Sequence, residues 1–232
     1  MAAPQEGSRV LDCCSAPGGK SFTAAMLMHN RGEIISCDIH PKKLALVEEG
    51  ARRLGINIIE TRQANASVFN PEFENAFDLV VADVPCSGLG VIRKKPEIRF
   101  KTEQEISDLP EIQKKILDNV SHYVNQNGKL LYSTCTVMKE ENEYISHSLS
   151  GFEIIDEKTF WPNIDGTDGF YAMPECRSIG RRGASSIANQ LISLPRVRAG
   201  AARGVIGPLL LSEVQPTLSI RNEHTIVKEA SA

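Results

Sequence analysis

Two thiols and one carboxyl group stand at the ends of apolar segments in this 232-residue chain, and their placement is the first sign of chemistry. Leu79 to Val84 is an apolar run of strand length that carries Asp83 near its end and leads into Pro85, Cys86, Ser87 and Gly88. Gly128 to Thr136 has the same build and delivers Cys135. Runs this apolar, without alternation, suit central parallel strands covered on both faces, and ligands bind just beyond the carboxyl ends of such strands. A single long helical segment separates the two runs, so a right-handed crossover makes them neighbours and brings Cys86 and Cys135 to one mouth beside Asp83. Two thiols and an acid at one mouth are not something core packing requires. Buried strand cysteines are nonetheless common, and an acid before Pro-Cys can simply cap a turn, so both readings stand at this point.

A second constellation lies nearer the N-terminus. Ser8 to Cys14 reads as a strand, and Ser15-Ala16-Pro17-Gly18-Gly19-Lys20-Ser21 as a tight turn into a helix from about Ser21 to His29. Glycines there let the backbone approach a ligand, and the helix start offers unpaired N–H groups. The turn matches neither the dinucleotide fingerprint nor the P-loop. Glu33 to Ile39 is a second strand, and its Asp38 falls about 20 residues beyond the glycine pair, where an acid in doubly wound folds accepts from ribose hydroxyls. Asn57 to Arg62 is a third strand, after which Asn65 could meet a base edge.

The elements that must position these residues alternate. A helix from Pro41 to Leu54 ends at Gly55, a long one runs from Thr102 or Glu103 to about Asn125 with a break at Pro110, and a short one spans Glu140 to Ser148. Strands at Phe152 to Asp156 and Asp168 to Met173 complete the pattern. The expectation is an α/β fold with a doubly wound, mostly parallel seven-stranded sheet.

Composition sets the outer limits. A hydrophobic content of 41% is ordinary for a folded soluble protein. Met1 to Glu6 lacks the features of a secretory signal and no run is long enough to span a membrane, so cytoplasm is the expected compartment. The six cysteines show no CxxC pairing, which favours reduced thiols over a disulfide framework or a metal site. A net charge of −3 hides local contrast: Arg93 to Lys101 holds five cations, one acid and one aromatic, directly after the Asp83 strand. Residues 174–232 carry 8 basic and 4 acidic residues against 18 and 25 in 1–173, and contain no Phe, Tyr, Trp or Asp. A catalytic domain over 1–173 followed by a poorly ordered basic tail, with a short apolar piece around Val205 to Val214, is expected; the tail could be flexible filler or an RNA-binding arm.

Leu11 to Lys20, Asp83 to Gly90 and Ser133 to Thr136, with Gly90 to Arg99 and Asp168-Gly169-Phe170, together resemble the RNA cytosine-C5 methyltransferases of the Fmu/Sun class. The likeness is nearest to the bacterial enzymes acting on small-subunit ribosomal RNA. It runs from about Pro4 to Met173, beyond which it is expected to stop. The resemblance implies a Rossmann-like class I fold, S-adenosylmethionine as cofactor, ribosomal RNA as partner, no metal, and a monomer. It implies that Cys14, Ser15, Ala16, Pro17, Gly18, Gly19 and Lys20 wrap the methionine part of the cofactor and that Asp38 holds its ribose. Asn65 stands where the family usually has an Asp beside the adenine, which should weaken binding without abolishing it. Asp83 would lie between cofactor and base, Cys135 matches the nucleophile and Cys86 the cysteine that helps release the product. A protonated Asp83 would suit the base best. Arg93, Lys94, Lys95 and Arg99 become phosphate contacts. The family's RNA-binding region before the catalytic domain has no counterpart here, so a truncated or frame-altered product is expected. A non-catalytic fragment that binds only cofactor or RNA is the alternative, and a nicotinamide-dependent oxidoreductase is disfavoured by the turn sequence.

Overall fold

A computed structural model describes residues 3–178. Among them seven strands form one sheet: β1 (Arg9–Asp12), β2 (Glu33–Asp38), β3 (Ile59–Gln63), β4 (Phe77–Asp83), β5 (Val124–Thr134), β6 (Phe152–Phe160) and β7 (Phe170–Ser178). Their spatial order is β3-β2-β1-β4-β5-β7-β6. The first five run parallel, and β7 enters antiparallel between β5 and β6. This is the mostly parallel, doubly wound sheet expected from the sequence, and its crevice lies at the carboxyl ends of β1 and β4.

The apolar runs form central strands because both faces are covered. Leu11, Val80 and Ala82 pack on one face with Ile116, Leu117 and Val120 of α4 (Leu109–Ser121). Val10, Leu79 and Val81 pack on the other with Ala24 and Ala25 of α1 (Gly19–Leu27). Adjacent residues thus feed opposite layers, the period of two that a strand imposes. Helix α2 (Pro41–Leu54) starts on its proline and stops at Gly55 at φ 69°, buries Leu44, Val47 and Ala51, and follows its sequence pattern.

The long helix differs from expectation. Thr102 and Glu105 form a reciprocal capping box that starts α3 (Glu103–Ser107), and the chain restarts as α4 with Pro110 in its first turn. Helix α4 ends at Ser121, because Val124 already pairs with Phe77 in the sheet. Gly128 therefore lies inside β5, at a register shift where a Cβ would collide with the Phe77 carbonyl oxygen. Two further short helices are α5 (Glu143–Ser146) and α6 (Pro162–Asp165).

Strands β6 and β7 are longer than the sequence suggests because they pair with each other over most of their length. The expected boundary at Met173 falls inside β7, whose Cys176 is fully buried between Leu130 and Ile154. The basic tail beyond, including the apolar piece at Val205 to Val214, lies outside the described residues. No helix among the described residues is long and apolar enough to cross a membrane.

Candidate active site at the carboxyl ends of the central strands

Strands β4 and β5 are in parallel register, with Asp83 opposite Ser133, so the segments leaving them emerge side by side. Cys86 and Cys135 meet there, their sulphurs 3.1 Å apart, and the Cys135 N–H donates to the Cys86 sulphur at 3.2 Å. Both residues are partly exposed. The Cys86 thiol donating to Cys135 holds the Cys135 sulphur down to about 7, with help from the Lys95 charge; burial and Asp83 act against it. Cys86 moves up in return, because it keeps the proton the pair shares, and burial adds to the effect. The pair thus favours a thiolate on Cys135 beside a thiol on Cys86.

Asp83 ends β4 beside them. One of its oxygens is ion-paired to the Lys20 ammonium and the other accepts from Ser133 Oγ at 2.8 Å. Lys20 also sits 5.3 Å from the Phe170 ring centroid, and so it belongs to the Asp83 side of the site rather than to the turn that precedes it.

Two loops carrying thiols need to be fixed relative to one another, and a buried polar network does this. Glu141, 1% exposed, accepts from the Ser87 N–H and from Gln113 Nε2, both at 2.8 Å through Oε2, while its other carboxylate oxygen is buried without a partner among the described residues. Gln113 also donates to the Pro85 carbonyl at 3.0 Å. Ser87 Oγ donates to Thr136 Oγ1 at 2.8 Å, and Thr134 Oγ1 to Asn142 Oδ1 at 2.5 Å. The Cys86 loop is thereby tied to the Cys135 loop and both to α4. Sequence reasoning missed these residues: Glu141 and Asn142 sit in a charged run, and Gln113 sits on an otherwise ordinary helix, so nothing local marks them as buried.

Glycines close the other side. The Gly90 N–H donates to the Cys135 carbonyl at 3.1 Å, and Gly169 N–H to the Gly90 carbonyl at 2.8 Å. A Cβ on Gly90 would collide with the Gly169 carbonyl, so only glycine lets the two segments touch. The basic loop follows. Arg93 and Lys94 both contact Asp168, at 3.2 and 2.5 Å. Lys95 and Arg99 are exposed, Arg99 donating to the Pro96 carbonyl at 3.0 Å.

A cleft of about 490 Å³ opens next to this group, lined among others by Cys14, Ala16, Asp38, Asn65, Asp83 and Pro85. Five residues expected to hold a cofactor thus share one cavity. Asp38 Oδ1 accepts from the His40 N–H at 2.8 Å, and no bond to its Oδ2 is found among the described residues. Asn65 Oδ1 accepts from the Ser67 N–H at 2.9 Å, so its oxygen is engaged and its NH₂ is the group it can offer a ligand. Ser15 is buried with a hydroxyl that has no partner among the described residues, Pro17 is exposed, and Gly18 takes φ 111° against the Phe22 ring. Gly18 caps α1 and Gly19 is its first residue. Beneath the turn, Ser21 Oγ donates to Asp12 Oδ2 at 2.7 Å, and burial pushes the Asp12 carboxyl up to about 6. A glycine cradle, a carboxylate with an open oxygen and an amide donor fit a ligand with an adenosine end and a charged end.

Residues 1–151 match the family described as 16S rRNA methyltransferase RsmB/F. The chain belongs to this family. Of its relatives, the probable ribosomal RNA small subunit methyltransferase B of Bacillus subtilis is 38% identical over 72% of the chain and 43% of its own length. A 28S rRNA (cytosine-C(5))-methyltransferase of mouse is 32% identical over 92% of the chain and 30% of its own length. The mouse alignment reaches beyond Met173, past the point where the likeness was expected to stop. The solved structure of NSun6 from Pyrococcus horikoshii with SFG has a TM-score of 0.69 at 28% identity, covering 76% of this chain and 49% of that one. The chain therefore spans less than half the length of these RsmB/F relatives. Its fold is the Rossmann-like fold of S-adenosylmethionine-dependent methyltransferases.

Proposed function

We propose that this chain is the catalytic part of an S-adenosylmethionine-dependent RNA methyltransferase that modifies C5 of a cytosine in ribosomal RNA through a covalent adduct to Cys135. The observation that carries the proposal is the hydrogen-bonded pair Cys86–Cys135 beside Asp83, at the mouth of the cleft lined by Cys14, Asp38 and Asn65. Family membership and relatives named for rRNA cytosine-C5 methylation support it.

Cytosine C5 is a poor nucleophile until a thiolate adds at C6. The Cys135 sulphur, favoured as thiolate by its neighbour, supplies that addition and pushes electron density toward C5. Asp83, positioned by Lys20 and Ser133, hydrogen-bonds the exocyclic amine, and the Lys20 ammonium offsets the negative charge that spreads over the ring. When the C5 proton leaves, Cys86 acts as a base relay: it takes that proton while its own passes to the Cys135 sulphur, which regains its electron pair as the C6–S bond breaks, and the surplus proton then goes to solvent. When bound, S-adenosylmethionine supplies an electrophilic methyl group. Asp38 would hold its ribose, the Asn65 amide its adenine edge, and Cys14 to Gly19 its methionine end. The SFG bound to the Pyrococcus relative, an analogue of this cofactor, supports S-adenosylmethionine as the ligand of the cleft. Neither C5 nor C6 is reachable in a stacked helix, so the target cytosine is single-stranded or flipped out. The assembled thiol pair weighs against a fragment without chemistry.

The test uses labelled S-adenosylmethionine with deproteinised small-subunit ribosomal RNA. Cys135→Ala should abolish methyl transfer, and Cys86→Ala should trap a protein–RNA adduct that survives denaturation. Full activity in Cys135→Ala overturns the proposal.

A further inference from the structure

Phe100 is the most exposed large hydrophobic side chain among the described residues, at 80%, and nothing in the chemistry above uses it. Its backbone is not loose. It closes a single 3₁₀ turn, Pro96–Phe100, begun by a proline and closed by bonds from the Ile98 N–H to the Lys95 carbonyl and from the Lys101 N–H to the Ile98 carbonyl, both 3.1 Å. Two residues before it, Ile98 is buried and packs on Gly88, where an added Cβ would lie 3.0 Å from its Cδ1. One residue after it, Lys101 Nζ donates to the Ser87 carbonyl at 2.8 Å and to the Cys86 carbonyl at 3.4 Å. The ring is thus mounted on a turn pinned from both sides to the loop that carries Cys86.

Its setting selects the occupant. Lys94, Lys95, Arg99 and Lys101 surround it in sequence, and all four are exposed. A rigid aromatic face among exposed cations is the combination that binds single-stranded nucleic acid, where bases stack and phosphates are neutralised independently of sequence. We infer that Phe100 is a stacking platform for an unpaired nucleobase flanking the target cytosine. Stacking there would hold the neighbour of the extruded base, so that the strand enters the site in one register. The inference rests on RNA being the substrate, and it adds a residue that recognises the strand rather than the reacting base.

The test measures binding of a short fluorescein-labelled single-stranded RNA with a central cytosine to the full chain, as a function of salt. Phe100→Ala should weaken binding by about 5- to 150-fold. Phe100→Trp should retain it. The slope of log Kd against log salt should be unchanged in Phe100→Ala, because no phosphate contact is lost, whereas Arg99→Ala should reduce it by about one. 2-Aminopurine placed beside the cytosine should be quenched by wild type and less so by Phe100→Ala. Binding by Phe100→Ala within twofold of wild type, or loss of the quenching difference, overturns the stacking site while leaving the RNA reading intact. Absence of RNA binding by the wild-type chain overturns both.

Discussion

Replacing Glu141 by alanine tests whether the buried network positions the thiols or only fills space. Ser87 N–H loses its acceptor in the interior, which costs about 1–3 kcal/mol, and Gln113 keeps Pro85 but loses its second partner, for about 0.5–1.5 kcal/mol. Against this, the unpartnered second oxygen of Glu141 no longer has to be buried, a relief of roughly 1 kcal/mol. The net loss is about 2 kcal/mol, or a fall in unfolding midpoint of about 4–8 °C for a domain of this size. Glu141→Gln keeps an acceptor for both donors and should lose about half as much. The position matters for chemistry because Ser87 follows Cys86 directly. Once its N–H is released, the contact between the sulphurs lengthens and Cys135 loses its donor. Iodoacetamide alkylation of Cys135, followed by peptide mass spectrometry, should then shift its pH midpoint upward in Glu141→Ala and stay near wild type in Glu141→Gln. A lower melting temperature with an unchanged alkylation profile refutes positioning and leaves a merely structural role.

Two further outcomes follow from the same geometry. Cys135 should alkylate along a curve that rises through a pH of about 7, since raising pH populates the thiolate that Cys86 stabilises. Cys86→Ala removes the donor and moves the curve toward the ordinary thiol range, lowering the rate at pH 7 by about 10- to 50-fold, while Cys86→Ser keeps a donor and falls between; coincident curves for all three proteins would contradict the shared proton. Gly90→Ala drives a methyl group into the Gly169 carbonyl and crowds the Cys135 carbonyl, so thermal unfolding should fall by about 2–12 °C, and an unchanged midpoint would show that the two segments can part freely.

The central sheet was legible because each of its strands is written locally. Val10, Leu11, Ile34, Ile35 and Leu79 to Ala82 form short apolar runs between turn residues, and the order of acids and glycines after them marks the crevice. The meeting of Cys86 with Cys135 followed from topology alone, since a right-handed crossover leaves neighbouring parallel strands few alternatives. What was hidden depends on partners far away in sequence. The start of β5 at Val124 is dictated by Phe77, and the length of β6 by β7. Lys20 reads as part of a cofactor turn, and its ammonium meets Asp83, 63 residues away in the chain, a contact that no local pattern marks. Glu141 has the same character: a charge in a charged run is indistinguishable from a solvated one until its burial is known.

Strand β7 has a consequence for how the molecule must be made. Among the described residues it is the last strand of the sheet to leave the ribosome, and yet it occupies an interior slot, hydrogen-bonded to β5 on one side and β6 on the other. Until residue 178 has been synthesised, both of those strands present raw edges able to pair with other chains. A nascent or prematurely terminated polypeptide ending before Phe170 would retain the thiol-bearing loops but be prone to clump, so the sheet that holds those loops is sealed only by its final stretch.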